Sequence, residues 1–252
     1  MPAKTAPERT RGPIIACGEL PLNPGTPALL ARLAGLVGDS PRIVLVIAPE
    51  QASDEELELE AMLVRAGYPA MSRHVLANRA SAEHRHLLDQ IEQADLVILS
   101  ADSPLKLSSL IGGSSLARLL RRRNADGLAV CGIAAGAAVL CEHMLASGSQ
   151  GATPRVGGAS LAPGLGLTNR VVIDQGGHAS DRLGRLLAAL ALNPFALGLG
   201  IDALTAAVIG SDNAIDVIGS GGVTLIDPSE MADSNAAELE PGAPIRITNM
   251  RL

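Results

Sequence analysis

A three-layer αβα sandwich, with a mostly parallel central sheet and an antiparallel edge, is the fold this sequence predicts. Three observations point there. Short apolar runs rich in β-branched residues alternate with longer amphipathic stretches, the pattern of parallel strands covered by helices on both faces. Hydrophobic residues make up 47% of the chain while Tyr68 and Phe195 are its only Tyr, Phe or Trp, so the core is aliphatic. Towards the C-terminus the strands shorten and are joined by GSDN (210–213) and GSGG (219–222), which predict hairpins.

Taken in order, PIIACG (13–18) is the first strand, and a helix near 26–37 follows. RIVLVIAP (42–49) is the second strand. DEELELE (54–60) then opens a helix over 53–66 behind Ser53, where acidic side chains favour the helix dipole; holding an arginine-rich ligand is the second reading of the run. A helix near 83–94 leads into the strand DLVILSA (95–101). The next helix covers 114–123, and RLLRRRN (118–124) sets cations at its negative end. GLAVCGI (127–133) is the fourth strand, with a helix predicted over 134–146. The connection GATPRVGGASLAPGLGL (151–167) leads to RVVID (170–174), a helix over 180–192, and the strands LGLGID, AAVIG, AIDVIGSGGVTLID and PIRITNM. These last strands are expected to extend the same sheet as its antiparallel edge. No linker is long enough to separate two domains, so residues 13–252 read as one α/β domain behind a flexible segment, 1–12.

Composition excludes several classes of function. A net charge of -6, from 20 Lys and Arg against 26 Asp and Glu, together with so few aromatic rings, argues against nucleic-acid binding. No uninterrupted apolar stretch reaches the roughly 18 to 20 residues of a membrane span. The start, MPAKTAPERTRGPI, lacks the apolar core of a secretory signal, and a cytoplasmic location is expected. Cys17, Cys131 and Cys141 are odd in number, lack C-x-x-C spacing and sit among apolar residues, which predicts buried free thiols. In HRH (84–86) the two imidazoles lie about 200° apart on a helix, so they do not make a two-ligand metal site. GSGG lacks the Lys-Ser/Thr of a phosphate loop and reads as a turn. Neither a metal nor a cofactor is expected.

The stretch AVCGIAAGAAVL (129–140) joins a strand to a helix through G-I-A-A-G, the spacing of a G-x-S-x-G nucleophile elbow with alanine at its tip. Gly132, Ala135, Gly136 and Ala137 suit a turn wedged between sheet and helix, where a larger side chain would clash. The elbow is there and its oxygen is not. In α/β sheets a ligand sits beyond the carboxyl ends of the strands. The segments to examine are therefore CGELPLNPGT, APEQAS, SADSPLKLSSLIGG, CGIAAGA, DQGGHASDRLGRL and GIDALTA.

Five segments in order, SADSPLKLSSLIGG, GIAAGA, DQGGHASDRLGRL, GLGIDALTA and VIGSGGVTLID, resemble the motifs of the cyanophycinase family. These are serine exopeptidases related to dipeptidase E that cleave an aspartate-arginine storage polymer into β-Asp-Arg dipeptides. The resemblance spans roughly residues 13–252. It implies a nucleophilic serine at the position of Ala134 and a partner histidine at that of Gly176, and both are replaced. The family's GGDQ becomes Ser100-Ala101-Asp102-Ser103, its first arginine after DQHF becomes Ser180, and the acidic residue of IDExTA becomes Ala203. Asp102, Asp174, Gln175, His178, Arg182 and Thr205 stay as candidate ligand-binding residues.

Losing nucleophile and base together removes most covalent catalysis. The resemblance then implies a catalytically degenerate member, a binding or partner subunit. It would pair with itself or with an intact cyanophycinase homologue and hold Asp-Arg polymer or dipeptide. The alternative is an active hydrolase whose site is rebuilt around Asp102, Asp174, His178 and Arg182, or one that uses Cys131 as a displaced nucleophile. Association is expected through the apolar segment RLLAALALNPFALG (185–198) and through residues 206–226.

Overall fold

The computed structural model describes residues 2–5, 9–21, 23–48, 55–175 and 179–252, and the side chains of residues 55–57 and 179–180 fall outside that description. The first five strands are β1 (Ile14–Cys17), β2 (Ile43–Ala48), β3 (Ser72–Val75), β4 (Leu96–Ala101) and β5 (Ala129–Ala134). The next four are β6 (His143–Gly148), β7 (Ala159–Pro163), β8 (Val171–Gln175) and β9 (Leu197–Ile201). The last are β10 (Thr205–Ile209), β11 (Ile215–Gly219), β12 (Val223–Ile226), β13 (Asp233–Ser234) and β14 (Ile247–Thr248). The helices are α1 (Gly25–Gly35), α2 (Glu55–Arg65), α3 (Arg85–Gln93), α4 (Pro104–Ile111), α5 (Ser115–Ala125), α6 (Ala135–Val139) and α7 (Leu183–Leu192). Single 3-10 turns at Arg79–Glu83 and Ala179–Arg182 precede α3 and α7.

The central sheet has the order β11-β10-β1-β5-β4-β2-β3. Strands β1 to β5 run parallel, while β10 and β11 form the antiparallel edge beside β1. Alternation along the strands sorts the core into two faces. Ile15, Cys17, Leu45, Ile98 and Cys131 pack with Leu30 and Leu33 of α1 and Met62 and Leu63 of α2. Val44, Val46, Val97, Leu99 and Val130 pack on the other side with α3, α4, α5 and α6. The expected sandwich is therefore present, and its central strands are buried on both faces, as parallel strands must be.

The later strands depart from expectation. β8, β9 and β12 form a separate three-stranded sheet and do not extend the main one. Ile173, Leu199 and Ile201 turn one face of it into the core of the main sandwich, while Val172 and Ile226 turn the other towards α7. GSDN does close the β10–β11 hairpin, with Asn213 in the left-handed region and Gly210 donating to Ala214. GSGG carries the chain from one sheet to the other, because Asp202 of the β9 end takes Gly222 as its backbone partner.

The helix expected over 134–146 stops at Val139. Leu165 donates to the Val139 carbonyl at 2.7 Å and Leu167 to that of Leu140 at 2.9 Å, so the oxygens a longer helix would use are already taken. The chain re-emerges as β6, paired with β7. SADSPLKLSSLIGG is a helix rather than a loop through its middle: Ser103 caps α4 by accepting from Lys106, and Pro104 starts it. The amino-terminal segment expected to be loose is tied down near its end. Arg9 pairs with Asp126 at 3.1 Å, and the buried Asn124 side chain bonds Arg11 and the Gly12 carbonyl.

Candidate functional site

Beyond the carboxyl ends of the parallel strands lies a cleft of about 730 Å³. Each wall comes from one element. β5 ends in Ala134, β4 in Ser100 and Ala101 followed by Asp102, and β1 runs on to Glu19 and Leu20. Gln175 at the end of β8, Arg182 before α7, Ala203 after β9, and Glu58 and Met62 of α2 complete it. The register brings Ala101 directly opposite Ala134, so the two strand ends open into the cleft together.

The elbow is built to close tolerance. Ala134 has φ 51° and ψ -121°, a backbone region that residues other than glycine rarely enter and that costs about 1–3 kcal/mol. Its surroundings enforce that conformation. A Cβ on Gly132 would lie 2.3 Å from the Gly136 carbonyl oxygen, and one on Gly136 would lie 2.2 Å from the Leu99 oxygen. The helix therefore lies directly on the β4–β5 strands, and Ala134 is pressed out at the tip, its methyl group on the cleft wall. A second non-glycine residue with positive φ, Leu204 at 54°, follows Ala203 on the far wall. Its N–H donates to the Glu19 carbonyl at 2.9 Å, which joins the β1 loop to the β9–β10 turn.

The candidate residues divide into two groups. Asp102, Gln175 and Arg182 line the cleft. Arg182 donates from Nη1 to the Gln175 carbonyl at 2.8 Å, which ties the residue before α7 to the end of β8. Asp174 and Thr205 serve the framework. Asp174 is buried and receives both Nε, at 2.7 Å, and Nη2 of Arg185, a two-pronged pair in which both partners are withdrawn from water. The fully buried Thr205 hydroxyl donates to the Ala203 carbonyl at 3.2 Å and accepts from Gly221 at 2.8 Å. Gly176 and His178 lie outside the described residues.

Cys131 is unsuited to act as a displaced nucleophile. It faces α1 and α2 in the core, and burial, with Cys17 close by, raises its thiol well above the usual range. Burial likewise pushes Cys17 and Cys141 up to about 12. The three thiols are free and buried, as the sequence predicts. Among the described residues no group of three or more His, Cys, Asp or Glu is placed to hold a metal ion, and none of the helices there is long and apolar enough to cross a membrane.

Five of the six segments singled out in the sequence place residues on the cleft, and APEQAS (48–53) lies outside the described residues beyond Ala48. Glu19 on the cleft wall was not singled out, and Glu58 was weighed only as part of the acidic run DEELELE. The signal for Glu19 was its place two residues past Cys17, where β1 ends; Glu58 lies in an acidic run that also suits a helix start. With Asp102 they set three carboxylates against the guanidinium of Arg182 in one cleft.

Comparison with known proteins agrees with this geometry. Residues 58–217 match the family described as peptidase family S51. The chain is 35% identical over 178 residues to a cyanophycinase of Nostoc sp., a match covering 70% of this chain and 60% of the relative. To a cyanophycinase of Synechococcus elongatus it is 36% identical over 179 residues, covering 71% and 56%. The matched region thus spans less than two thirds of either relative. A peptidase from an acI-B1 actinobacterium shares the fold with a TM-score of 0.67 at 19% identity, over 96% of this chain and 97% of that one. A putative peptidase E protein from Listeria monocytogenes does so with a TM-score of 0.55 at 10% identity, over 84% and 100%.

Proposed function

The chain belongs to peptidase family S51, and from that premise we propose that it is a non-catalytic, cyanophycinase-like protein that binds Asp-Arg polymer or dipeptide without cleaving it. One observation carries the reading. Ala134 occupies the strained tip of an intact elbow, so the position from which a serine would attack presents a methyl group, which has neither a lone pair nor a proton to lose. The strain that such turns carry is retained, while the nucleophile it would expose is missing.

The cleft supports binding through its charges. Glu19, Glu58 and Asp102 supply acceptors for a guanidinium group, and Arg182 supplies a cation for a carboxylate. An Asp-Arg unit carries one group of each kind. The test is co-sedimentation of the purified protein with insoluble Asp-Arg polymer. Retention that Glu58→Gln and Arg182→Ala each weaken supports the reading; a protein left wholly in the supernatant contradicts it.

The partner role extends the same reading to a second chain of this family, either a copy of itself or an intact cyanophycinase homologue. α7 ends at Leu192, within the apolar segment 185–198, and leaves Leu192 and Phe195 more than half exposed. Val217 on the edge strand β11 is also more than half exposed. Such apolar side chains and an unpaired strand edge favour association. A dimer in light scattering at micromolar concentration, or co-purification with an active homologue, is the expected result, and a strict monomer that retains neither contradicts it.

A further inference from the structure

Outside the lining of the cleft, the edge strand β3 and helix α3 bring together two histidines that the sequence keeps twelve positions apart. His86 and Gln90 stand four residues apart on α3 and therefore share a face of it. His74 lies opposite them on β3. Its Nε2 is 2.5 Å from Gln90 Oε1, while Gln90 Nε2 is 3.3 Å from His86 Nε2. The ring centroids are 5.6 Å apart. One side-chain amide is thus gripped by the Nε2 atoms of two imidazoles.

The hydrogen-bond chemistry of that arrangement is informative. An amide oxygen only accepts and an amide nitrogen only donates. With the amide as placed, His74 donates from Nε2 to the amide oxygen and His86 accepts at Nε2 from the amide nitrogen. If the amide is turned over, the two histidines exchange roles, and one lone pair still points inward. The neighbouring cations are compensated. Strand alternation sends Arg73 to the opposite face, where its Nε meets Glu60 at 3.2 Å, and Arg85 pairs with Asp89 at 3.3 Å. An incoming cation therefore meets no unpaired positive charge from either neighbour.

We propose that His74, His86 and Gln90 form a surface site for one divalent transition-metal ion of the imidazole-preferring kind: nickel, copper or zinc. Imidazole nitrogens suit these ions and bond them at about 2.0–2.1 Å. The ion takes the place between the rings that the amide now fills. His74 moves its proton from Nε2 to Nδ1, freeing the second lone pair without net proton release. Gln90 turns on its flexible stem to offer Oε1 as a third ligand, and water completes the shell. The histidine pair matters here, not the HRH segment, since His84 ends the preceding 3-10 turn and His74 is the residue that His86 meets.

The test uses the untagged full chain and Ni²⁺ alone, by isothermal titration, with circular dichroism to confirm that each variant folds. One equivalent of Ni²⁺ per chain is expected. His74→Ala and His86→Ala should each weaken binding by more than about tenfold, since disturbing even a ligand's outer partner costs about 10- to 100-fold. His86 is exposed, so its removal leaves the core untouched. His84→Ala and His143→Ala should bind as the parent does. Absence of saturable binding overturns the proposal, and so does binding that survives His74→Ala or depends on His84.

Discussion

Two strand-to-helix junctions contribute residues to the cleft and are held in opposite ways. Between β5 and α6 the backbone does the holding: Gly132 and Gly136 let helix and strands approach so closely that no side chain fits, and Ala134 is strained as a result. Between β8 and α7 side chains do it: Asp174 grips Arg185, and Arg182 ties back to the Gln175 carbonyl. The difference teaches how to read a retained motif. In the first turn the glycines serve packing and would be needed with or without a nucleophile. In the second, Asp174 and Arg185 match the family pattern but are spent on each other. A retained residue need not be a retained function.

The sharpest way to break this comparison is Asp174→Ala. It strands Arg185, whose side chain is only 12% exposed, without a counter-charge. Removing one partner of a buried pair costs about 3–5 kcal/mol, so the urea midpoint should fall steeply. A loss below about 1 kcal/mol would show that the pair is solvated and that the turn is held by something else.

Gly136→Ala comes next, with an expected loss of about 1–3 kcal/mol from forced overlap with the Leu99 carbonyl. Gly35→Ala, where an added Cβ meets nothing within 4 Å, should lose nothing in the same titration. Equal effects at the two sites would remove the packing explanation of the elbow.

Ala134→Gly sharpens the comparison from the other direction. Glycine enters the Ala134 conformation freely, so releasing roughly 1–3 kcal/mol of strain outweighs its entropic cost of about 0.5–1 kcal/mol. Thermal unfolding should therefore show a modest gain in stability. A loss would mean that the methyl group packs better than its backbone suggests.

The smallest effect concerns the thiols. With Cys17 and Cys141 pushed up to about 12 and Cys131 also raised, all three stay protonated and shielded in the folded protein at pH 8. A thiol reagent should label none of them there and all three in denaturant. Because the folded values lie above the unfolded ones, this contribution to stability is complete below about pH 8.5, the unfolded thiol range. It is lost as pH rises towards about 12. A midpoint that rises between those limits would contradict the burial.

Much of this architecture was legible because buried parallel strands are written as unbroken aliphatic runs. RIVLVIAP and DLVILSA differ from β2 and β4 by no more than a residue at each end. The edge strand β3, SRHV, was not legible, since a strand with one exposed side carries polar residues that blur the signal. The early end of α6 was hidden because it depends on hydrogen bonds from residues 165 and 167, far along the chain. The same limit applies to the site. The loops could be named from the positions of strand ends, but only packing shows that Asp174 and Thr205 are consumed by the framework and that Glu19 reaches the cleft.

The central claim, that the elbow survives as architecture without peptidase chemistry, is tested most directly by release of β-Asp-Arg. Purified protein and its Ala134→Ser variant are incubated with Asp-Arg polymer, and free dipeptide is measured by mass spectrometry. The account predicts no release from the natural chain. From the variant it predicts little, because a serine without a positioned base stays protonated at neutral pH. Sustained release by the natural chain that Arg182→Ala or Asp102→Ala abolishes would contradict it, and would place a rebuilt catalytic site in the cleft.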